Sequence, residues 1–314
     1  MILLLQYTLI FASVLMLVAL GGCFAERSGV INIGLEGTMV VGALGGALVL
    51  KYLPMSLGAP MMIITTILVS VLFGMLFSLL LAVAAINFKA DQTITGTAMN
   101  MLATAGATVA VKAINTAASN GSNVSSDISY VHSKEMLLVR FGSFEFSWFM
   151  LVAAICLVLS FVVLYKTKFG LRLRACGEHP QAADSVGINV YKMRYAGVLI
   201  SGALAGLGGI VYITAGVSVW KFEYGVAGFG FLALAVMIFG AWHPVKIALA
   251  ALAFGFFRAL GNVYSGFDFM LSLNLPSVVY NMLPYIISLV ILAFTSKKSR
   301  APKAEGIPYD KGSR

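Results

Sequence analysis

The feature that most constrains this chain is a series of long segments that contain no charged residue. The segment from Tyr52 to Phe88 has none over 37 residues, and the segment from Met1 to Ala25 has none over 25. A helix that crosses a bilayer needs about 20 consecutive apolar residues. Only 11% of the 314 residues are charged, whereas a soluble domain has about 25%. We therefore expect an all-α, polytopic transmembrane helix bundle.

Counting along the chain gives about nine candidate spans, within a range of roughly eight to ten. Two of them contain an internal charged residue, Glu36 in the second and Arg258 in the eighth. Asp268 and Glu36 are the conceivable partners of Arg258. The candidate spans are Met1–Ala25, Ile31–Leu50, Met61–Ile86, Gln92–Val111, Phe146–Tyr165, Tyr195–Trp220, Tyr224–Val245, Lys246–Tyr264 and Phe269–Ser296.

Two basic clusters predict the orientation of the chain, because Lys and Arg accumulate in cytoplasmic loops. One cluster lies in the loop 166–194 and the other in the tail 297–314. Four spans lie between them, so both can be cytoplasmic. The same count places the segment 113–145 and the N-terminus outside. We expect a transmembrane domain, 1–296, followed by a polar cytoplasmic tail, 297–314, whose composition predicts disorder.

Several function classes are excluded by what the sequence lacks. The net charge of +9 comes from short clusters between apolar runs, not from a basic face of the kind that binds nucleic acid. The chain has no G-x-x-x-x-G-K-[ST] phosphate loop, and its three histidines and three cysteines have no catalytic or metal-ligand spacing. We therefore expect no enzyme activity, no metal and no cofactor in this chain.

The loop 166–194 contains the pattern of a short helix. Gly177 is expected to interrupt what precedes it, Pro180 stands near a first helical position, and Gly187 is placed to end a helix at about 181–186. Small residues such as Ala182 and Ala183 would let this helix fit a groove on a partner protein. An ordinary positive-inside loop explains the basic residues equally well.

Polar residues in the apolar segments are candidates for a solute path. The Gly-rich segment around Glu36 is compatible with a broken helix that lines a cavity. It is equally compatible with an interfacial elbow in which the helix dipole favours Glu36 at the N-terminus. Polar residues of the spans can also simply join helices. The candidates for the translocation path are Asn32, Gly34, Glu36, Asn100 and Thr104.

Three blocks of the sequence carry a family resemblance. They are ERSGVINIGLEG at Glu26–Gly37, the segment Gly170–Gly209, and LPSVVYNMLPYIISLVIL at Leu275–Leu292. They resemble permease subunits of bacterial ABC importers of the branched-chain amino acid, ribose and nucleoside superfamily. The likeness is to the nucleoside branch, whose solute-binding lipoproteins are of the basic membrane protein type.

The resemblance implies a permease in the bacterial cytoplasmic membrane that imports nucleosides. A partner ABC ATPase would bind ATP and Mg²⁺, a second homologous permease would complete the pore, and an extracytoplasmic lipoprotein would deliver solute. A permease for ribose-like sugars or amino acids is the alternative, and a self-sufficient secondary transporter is a second one. The residues implied in coupling to the ATPase are Gly177, Glu178, Pro180, Ala182, Ala183 and Gly187.

Overall fold

The structure, a computed structural model, describes residues 2–142, 144–215, 217–267, 272, 276–295 and 301–312. It confirms the all-α class, since strands are few and short. The helices are α1 (Ile2–Arg27), α2 (Leu35–Tyr52), α3 (Gly58–Ala82, continued by a π-helical turn, Val83–Asn87), α4 (Gln92–Ala118), α5 (Val131–Glu135), α6 (Trp148–Lys166), α7 (Lys168–Glu178), α8 (Pro180–Ser185), α9 (Val190–Thr214), α10 (Phe229–Phe239), α11 (Pro244–Val263) and α12 (Ser277–Thr295).

Seven helices in the described part of the chain are long and apolar enough to cross a membrane, namely α1, α2, α3, α4, α6, α9 and α11, two of them with their flanking turns. Helices α10 and α12 contribute two shorter apolar stretches. A polytopic bundle is therefore confirmed, whereas the count of nine spans is not. Helix α10 has only 11 residues, because the chain enters it from a non-helical segment.

The bundle has two distinguishable ends. We call the end that carries α7 and α8 the loop end, and the opposite one the far end. Helix α1 ends at the loop end, where Arg27 lies 3.8 Å from Glu178. It begins at the far end, where Gln6 donates to Glu145. The start of α1 and the loop 166–194 thus lie at opposite ends of the bundle, and which end is cytoplasmic stays a prediction.

Small antiparallel pairs of strands cover the far end. One pair consists of β1 (Asp127–Ser129) and β4 (Val219–Lys221), and the other of β2 (Leu138–Phe141) and β3 (Phe144–Ser147). The first pair joins the segment after α4 to the segment after α9. The first pair therefore holds the segment between α9 and α10 against the segment that follows α4.

Helices α2, α3 and α9 cross at glycines. A Cβ atom added to Gly42 would collide with the backbone of Gly206, and one added to Gly74 would collide with the carbonyl oxygen of Gly202. Apolar surface alone gives little helix association in lipid, so close backbone contact at small residues supplies much of the attraction. These glycines are packing residues of the helix core.

Residues 301–312 of the tail pack against the loop end. The backbone N–H of Ala304 donates to the carbonyl of Gly177 at 2.9 Å, and the Tyr309 side chain is 4% exposed. The prediction of disorder is therefore wrong for these residues. The prediction fails because Ala304 and Tyr309, although they stand in a polar segment, are buried against a distant part of the chain.

Candidate translocation and coupling sites

The chain between α1 and α2 is a buried non-helical segment, residues 28–34. Ser28, Val30 and Asn32 are fully buried, and Gly29 adopts a φ of +96°, a conformation that favours glycine. Asn32 donates to the hydroxyl of Ser201 at 2.9 Å. Ser201 lies 11 residues after the start of α9, or about 16 Å along its axis. The segment therefore runs from the loop end into the bundle, and both the broken helix and the interfacial elbow stay predictions.

We call the non-helical residues 28–34 the first break. Asn100 of α4 satisfies backbone groups that this break leaves without partners. Its Oδ1 accepts the N–H of Gly37 at 2.7 Å, and its Nδ2 donates to the carbonyl of Ile33 at 3.0 Å. Thr104 donates to the carbonyl of Asn100 at 3.3 Å. Non-helical backbone at membrane depth is tolerated only where the protein or a water-filled cavity satisfies it. Asn100 therefore holds the first turn of α2 in place.

Glu36 joins the first break to a second segment that is not α-helical, residues 222–228, which we call the second break. Its carboxylate accepts the N–H of Gly228 at 2.7 Å and the N–H of Gly230 at 2.6 Å, at the start of α10. The positive end of a helix dipole stabilises an acidic group there. Gly228 has a φ of +80°, and a side chain at Gly230 would collide with Glu36. Glu36 thus caps α10 from the start of α2.

The two breaks enter the bundle from opposite ends. Residues 28–34 approach Glu36 from the loop end, and the segment 222–228 approaches it from β4 at the far end. Gly225 in that second segment, with a φ of +56°, packs beside Thr104. Broken helices of this kind form solute sites in many transporters. The structure brings the five translocation candidates together around the start of α2.

Sequence reasoning missed the second break. The glycines at 225, 228 and 230 stood inside a predicted continuous span, and nothing in their spacing paired them with Glu36. The dense glycine pattern GVAGFG was the available signal.

Arg258 lies beside this site. Its guanidinium stands over the rings of Phe11 and Phe229, at 5.8 and 5.5 Å from their centroids, and within hydrogen-bonding reach of Tyr212. Cation–π contacts of this kind are worth more when they are desolvated. Aromatic rings are thus prominent neighbours of this charge, and Asp268, one partner that the sequence suggested, lies outside the described residues.

At the loop end, α7 and α8 form a helical hairpin. Helix α7 continues through Gly177 to Glu178, so the prediction that Gly177 interrupts the preceding helix is wrong. Gly177 is needed because a Cβ atom there would collide with the carbonyl of Arg27. Pro180 occupies the first turn of α8, and Gly187 follows that helix with a φ of +82°, as the sequence predicted.

Only part of the hairpin can touch another protein. Gly177, Pro180 and Ala183 are buried within this chain, and Glu178 is half-buried beside Arg27. The exposed positions on and after α8 include Val186, whose side chain is 74% exposed. The exposed residues from α8 to Gly187 are Gln181, Ala182, Ser185, Val186 and Gly187. This set, which we call the α8 face, contains two of the six residues implied in coupling.

Two segments that are not α-helical and meet inside the bundle, together with a short helical hairpin at one end of it, are compatible with a membrane transport permease. The comparison with known families agrees with this class. The chain belongs to the family described as the branched-chain amino acid transport system/permease component, whose sequence model matches residues 4–294.

Several curated proteins are similar to this chain over nearly their whole length. It is 42% identical to the guanosine ABC transporter permease protein NupQ of Bacillus subtilis, over 98% of this chain and 96% of that one. It is 38% identical to the nucleoside ABC transporter permease protein NupC of Lactococcus lactis, over 96% and 95%. NupB, a nucleoside permease protein of the same Lactococcus strain, is 25% identical over 76% of this chain and 67% of NupB.

Proposed function

We propose that this chain is the membrane-spanning permease subunit of an ATP-driven importer of nucleosides. The observation that carries the proposal is the 42% identity to a guanosine permease over 98% of the chain. The two breaks around Glu36 support it, because they place polar backbone and side-chain groups inside the bundle, as the solute sites of many transporters do. Asn32, Gly34, Glu36, Asn100 and Thr104 are the proposed lining of that path.

The proposed importer has four kinds of component. An ABC ATPase binds ATP and Mg²⁺ and docks on the α8 face, and an extracytoplasmic lipoprotein delivers the nucleoside. A second homologous permease completes the pore. The similarity of this chain to both NupB and NupC, two nucleoside permease proteins of one strain, supports a pair of related but different permeases. On this proposal, the loop end and the C-terminal tail are cytoplasmic and the far end is external.

The proposed mechanism transmits a movement of the α7–α8 hairpin to the breaks. Gly177 packs on the backbone of Arg27, the last residue of α1, and the next residues form the first break. A displacement of the hairpin by the ATPase would therefore act at the start of residues 28–34. Rigid-body movement of one part of the bundle against the other would then open the path to alternate sides.

Two alternatives remain distinguishable from this proposal. The family description favours a permease for branched-chain amino acids, and a sugar such as ribose is a related possibility. A secondary transporter would need an ion site, for which Glu36 and Arg258 were the candidates. Glu36 is already engaged as the cap of α10, which argues for a positioning role.

Purification of the tagged chain from its native membrane tests the assembly. A stoichiometric ATPase and a second permease should accompany it, and uptake of labelled guanosine into cells should stop on deletion of either. Competition by unlabelled nucleosides, leucine and ribose then defines the substrate class. Uptake by the lone chain in liposomes, driven by an ion gradient, would contradict the proposal.

A further inference from the structure

Residues 301–312, which we call the strap, cross the loop end and contact three separate elements. The N–H of Ala304 donates to Gly177 in α7, and the N–H of Gly306 donates to Gly29 in the first break, at 2.9 and 3.3 Å. The guanidinium of Arg194 in α9 donates to the carbonyl of Ile307 at 2.9 Å. The strap follows residues 4–294, which the family model matches. It is nevertheless hydrogen-bonded to the hairpin and to the first break.

Arg194 anchors this arrangement. It is 1% exposed, although its position in the sequence suggested an ordinary cytoplasmic charge. Its Nη1 donates to Ile307, whereas its Nε and Nη2 have no hydrogen-bond partner among the described residues. Its Nη2 lies directly against Gly29. Removal of the strap would take the Ile307 carbonyl from Arg194, and a buried charge without hydrogen bonds is costly.

Tyr309 closes the strap over the hairpin. Its side chain packs in a buried cluster with Cys176 of α7, Ala183 of α8 and Val190 of α9. Its ring meets Tyr191 edge-on, with 5.3 Å between centroids. Buried aromatic side chains contribute most strongly to such contacts. One residue therefore joins three helices at the place where α8 turns back toward α9.

We propose that the strap is a transmission element, which fixes the α7–α8 hairpin to the first break so that the two move together. The inference rests on the proposed function. The direct contacts between the two are the packing of Gly177 on the backbone of Arg27 and an ion pair between Arg27 and Glu178. That ion pair is long, at 3.8 Å, and partly exposed, and such pairs contribute little. The strap adds one backbone hydrogen bond to the hairpin and one to the first break. It also makes a buried aromatic contact with α7, α8 and α9 and accepts a hydrogen bond from the buried Arg194 of α9.

Labelling of Cys176 measures whether the strap is docked, independently of transport. Cys176 is buried in the Tyr309 cluster, and burial raises its pKa to about 11, so a maleimide should react slowly. In a background with Cys23→Ala and Cys156→Ala, truncation after Arg300 and Tyr309→Ala should each accelerate labelling. Ile307→Ala, which alters an exposed side chain of the strap, is the matched control.

Transport assays on the complete importer then test transmission. In the truncated and Tyr309→Ala proteins, nucleoside uptake per ATP hydrolysed should fall about fivefold or more, the lower end of measured coupling between sites. ATP hydrolysis itself should persist, because the α8 face is unaltered. The Ile307→Ala control should retain wild-type coupling.

The outcomes separate this inference from the proposed function. Absence of ATP-driven nucleoside uptake by the wild-type importer would contradict the proposed function. Slow Cys176 labelling in the truncated protein would show that the strap does not cover the hairpin. Fast labelling with unchanged uptake per ATP would show that the strap is only a packing element, and the transmission role would be abandoned.

Discussion

The carboxylate of Glu36, at the start of α2, lies 2.6 Å from the backbone nitrogen of Gly230, at the start of α10. One side chain therefore holds together two helices that begin inside the bundle and are reached from opposite ends. Each helix start has backbone N–H groups without partners of their own. Glu36 accepts the N–H groups of Gly228 and Gly230 at the start of α10, and Asn100 accepts that of Gly37 in the first turn of α2. The two breaks form one polar unit.

Replacement of Glu36 should separate this unit. Glu36→Ala leaves the N–H groups of Gly228 and Gly230 without their acceptor, at about 1–3 kcal/mol for each buried group. Glu36→Gln retains one carbonyl oxygen and should lose less. We expect a lower unfolding temperature in detergent in the order wild type, Gln, Ala, with uptake declining in parallel.

The control is Glu223→Gln, which alters an exposed acid that pairs with Lys112 at the far end. It should leave both measurements nearly unchanged, because exposed ion pairs contribute little. Wild-type stability in Glu36→Ala would show that Glu36 does not cap α10.

Close helix packing gives a second prediction. Gly206 of α9 has no room for a side chain, since a Cβ atom there would lie 2.5 Å from the carbonyl oxygen of Ser70, whereas Gly106 of α4 has open space around it. Gly206→Ala should destabilise the bundle by about 1–3 kcal/mol through overpacking. Gly106→Ala should be neutral or slightly stabilising, because alanine favours helices. Thermal unfolding of both variants in one detergent checks the contrast, and equal unfolding temperatures would contradict it.

The α8 face gives a third prediction. Val186→Glu places a charge where the partner ATPase is proposed to dock, so recovery of the ATPase per permease should fall about tenfold, equivalent to about 1.4 kcal/mol. The matched control is Val124→Glu, at an exposed valine of the far end. Both variants should fold normally. Undiminished recovery of the ATPase with Val186→Glu would remove the α8 face from the interface.

A substitution at Ala183 would not test this interface. The residue is 3% exposed and packs under Tyr309, so a bulky side chain there would disturb the hairpin itself. This contrast between Ala182 and Ala183 required the structure, since both are small residues of one predicted helix.

The sequence predicted those features that depend on local chemistry. Pro180 and Gly187 bracket α8 because one fixes φ and the other permits a left-handed conformation, and both effects act within a few residues. Long apolar runs similarly predicted the spans. The family resemblance predicted the permease class.

Long-range contacts explain what the sequence did not predict. Position 177 of α7 needs a glycine because the backbone of Arg27 approaches it closely. That approach cannot be inferred from the neighbouring sequence. Arg194 looked like a marker of sidedness, yet it is buried against a segment more than a hundred residues away. The pairing of Glu36 with Gly228 and Gly230 is of the same kind.

The docking of the strap should weaken as pH rises. Glu305 lies against Glu26, and burial raises the pKa of Glu305 above its ordinary value of 4.5, although a hydrogen bond with Glu26 and the charge of Arg27 oppose the shift. A raised pKa means that the docked strap binds its proton more tightly than the free one. The stabilisation is therefore complete below about pH 4.5 and is lost as the pH rises through the raised value.

Cys176 labelling across this pH range measures the docking of the strap, with Glu305→Gln as the reference because its amide needs no proton. The thiolate fraction of Cys176 also rises with pH in both proteins, so the ratio of the wild-type rate to the Glu305→Gln rate is the informative quantity. We expect this ratio to increase with pH, and a constant ratio would show that Glu305 does not govern docking.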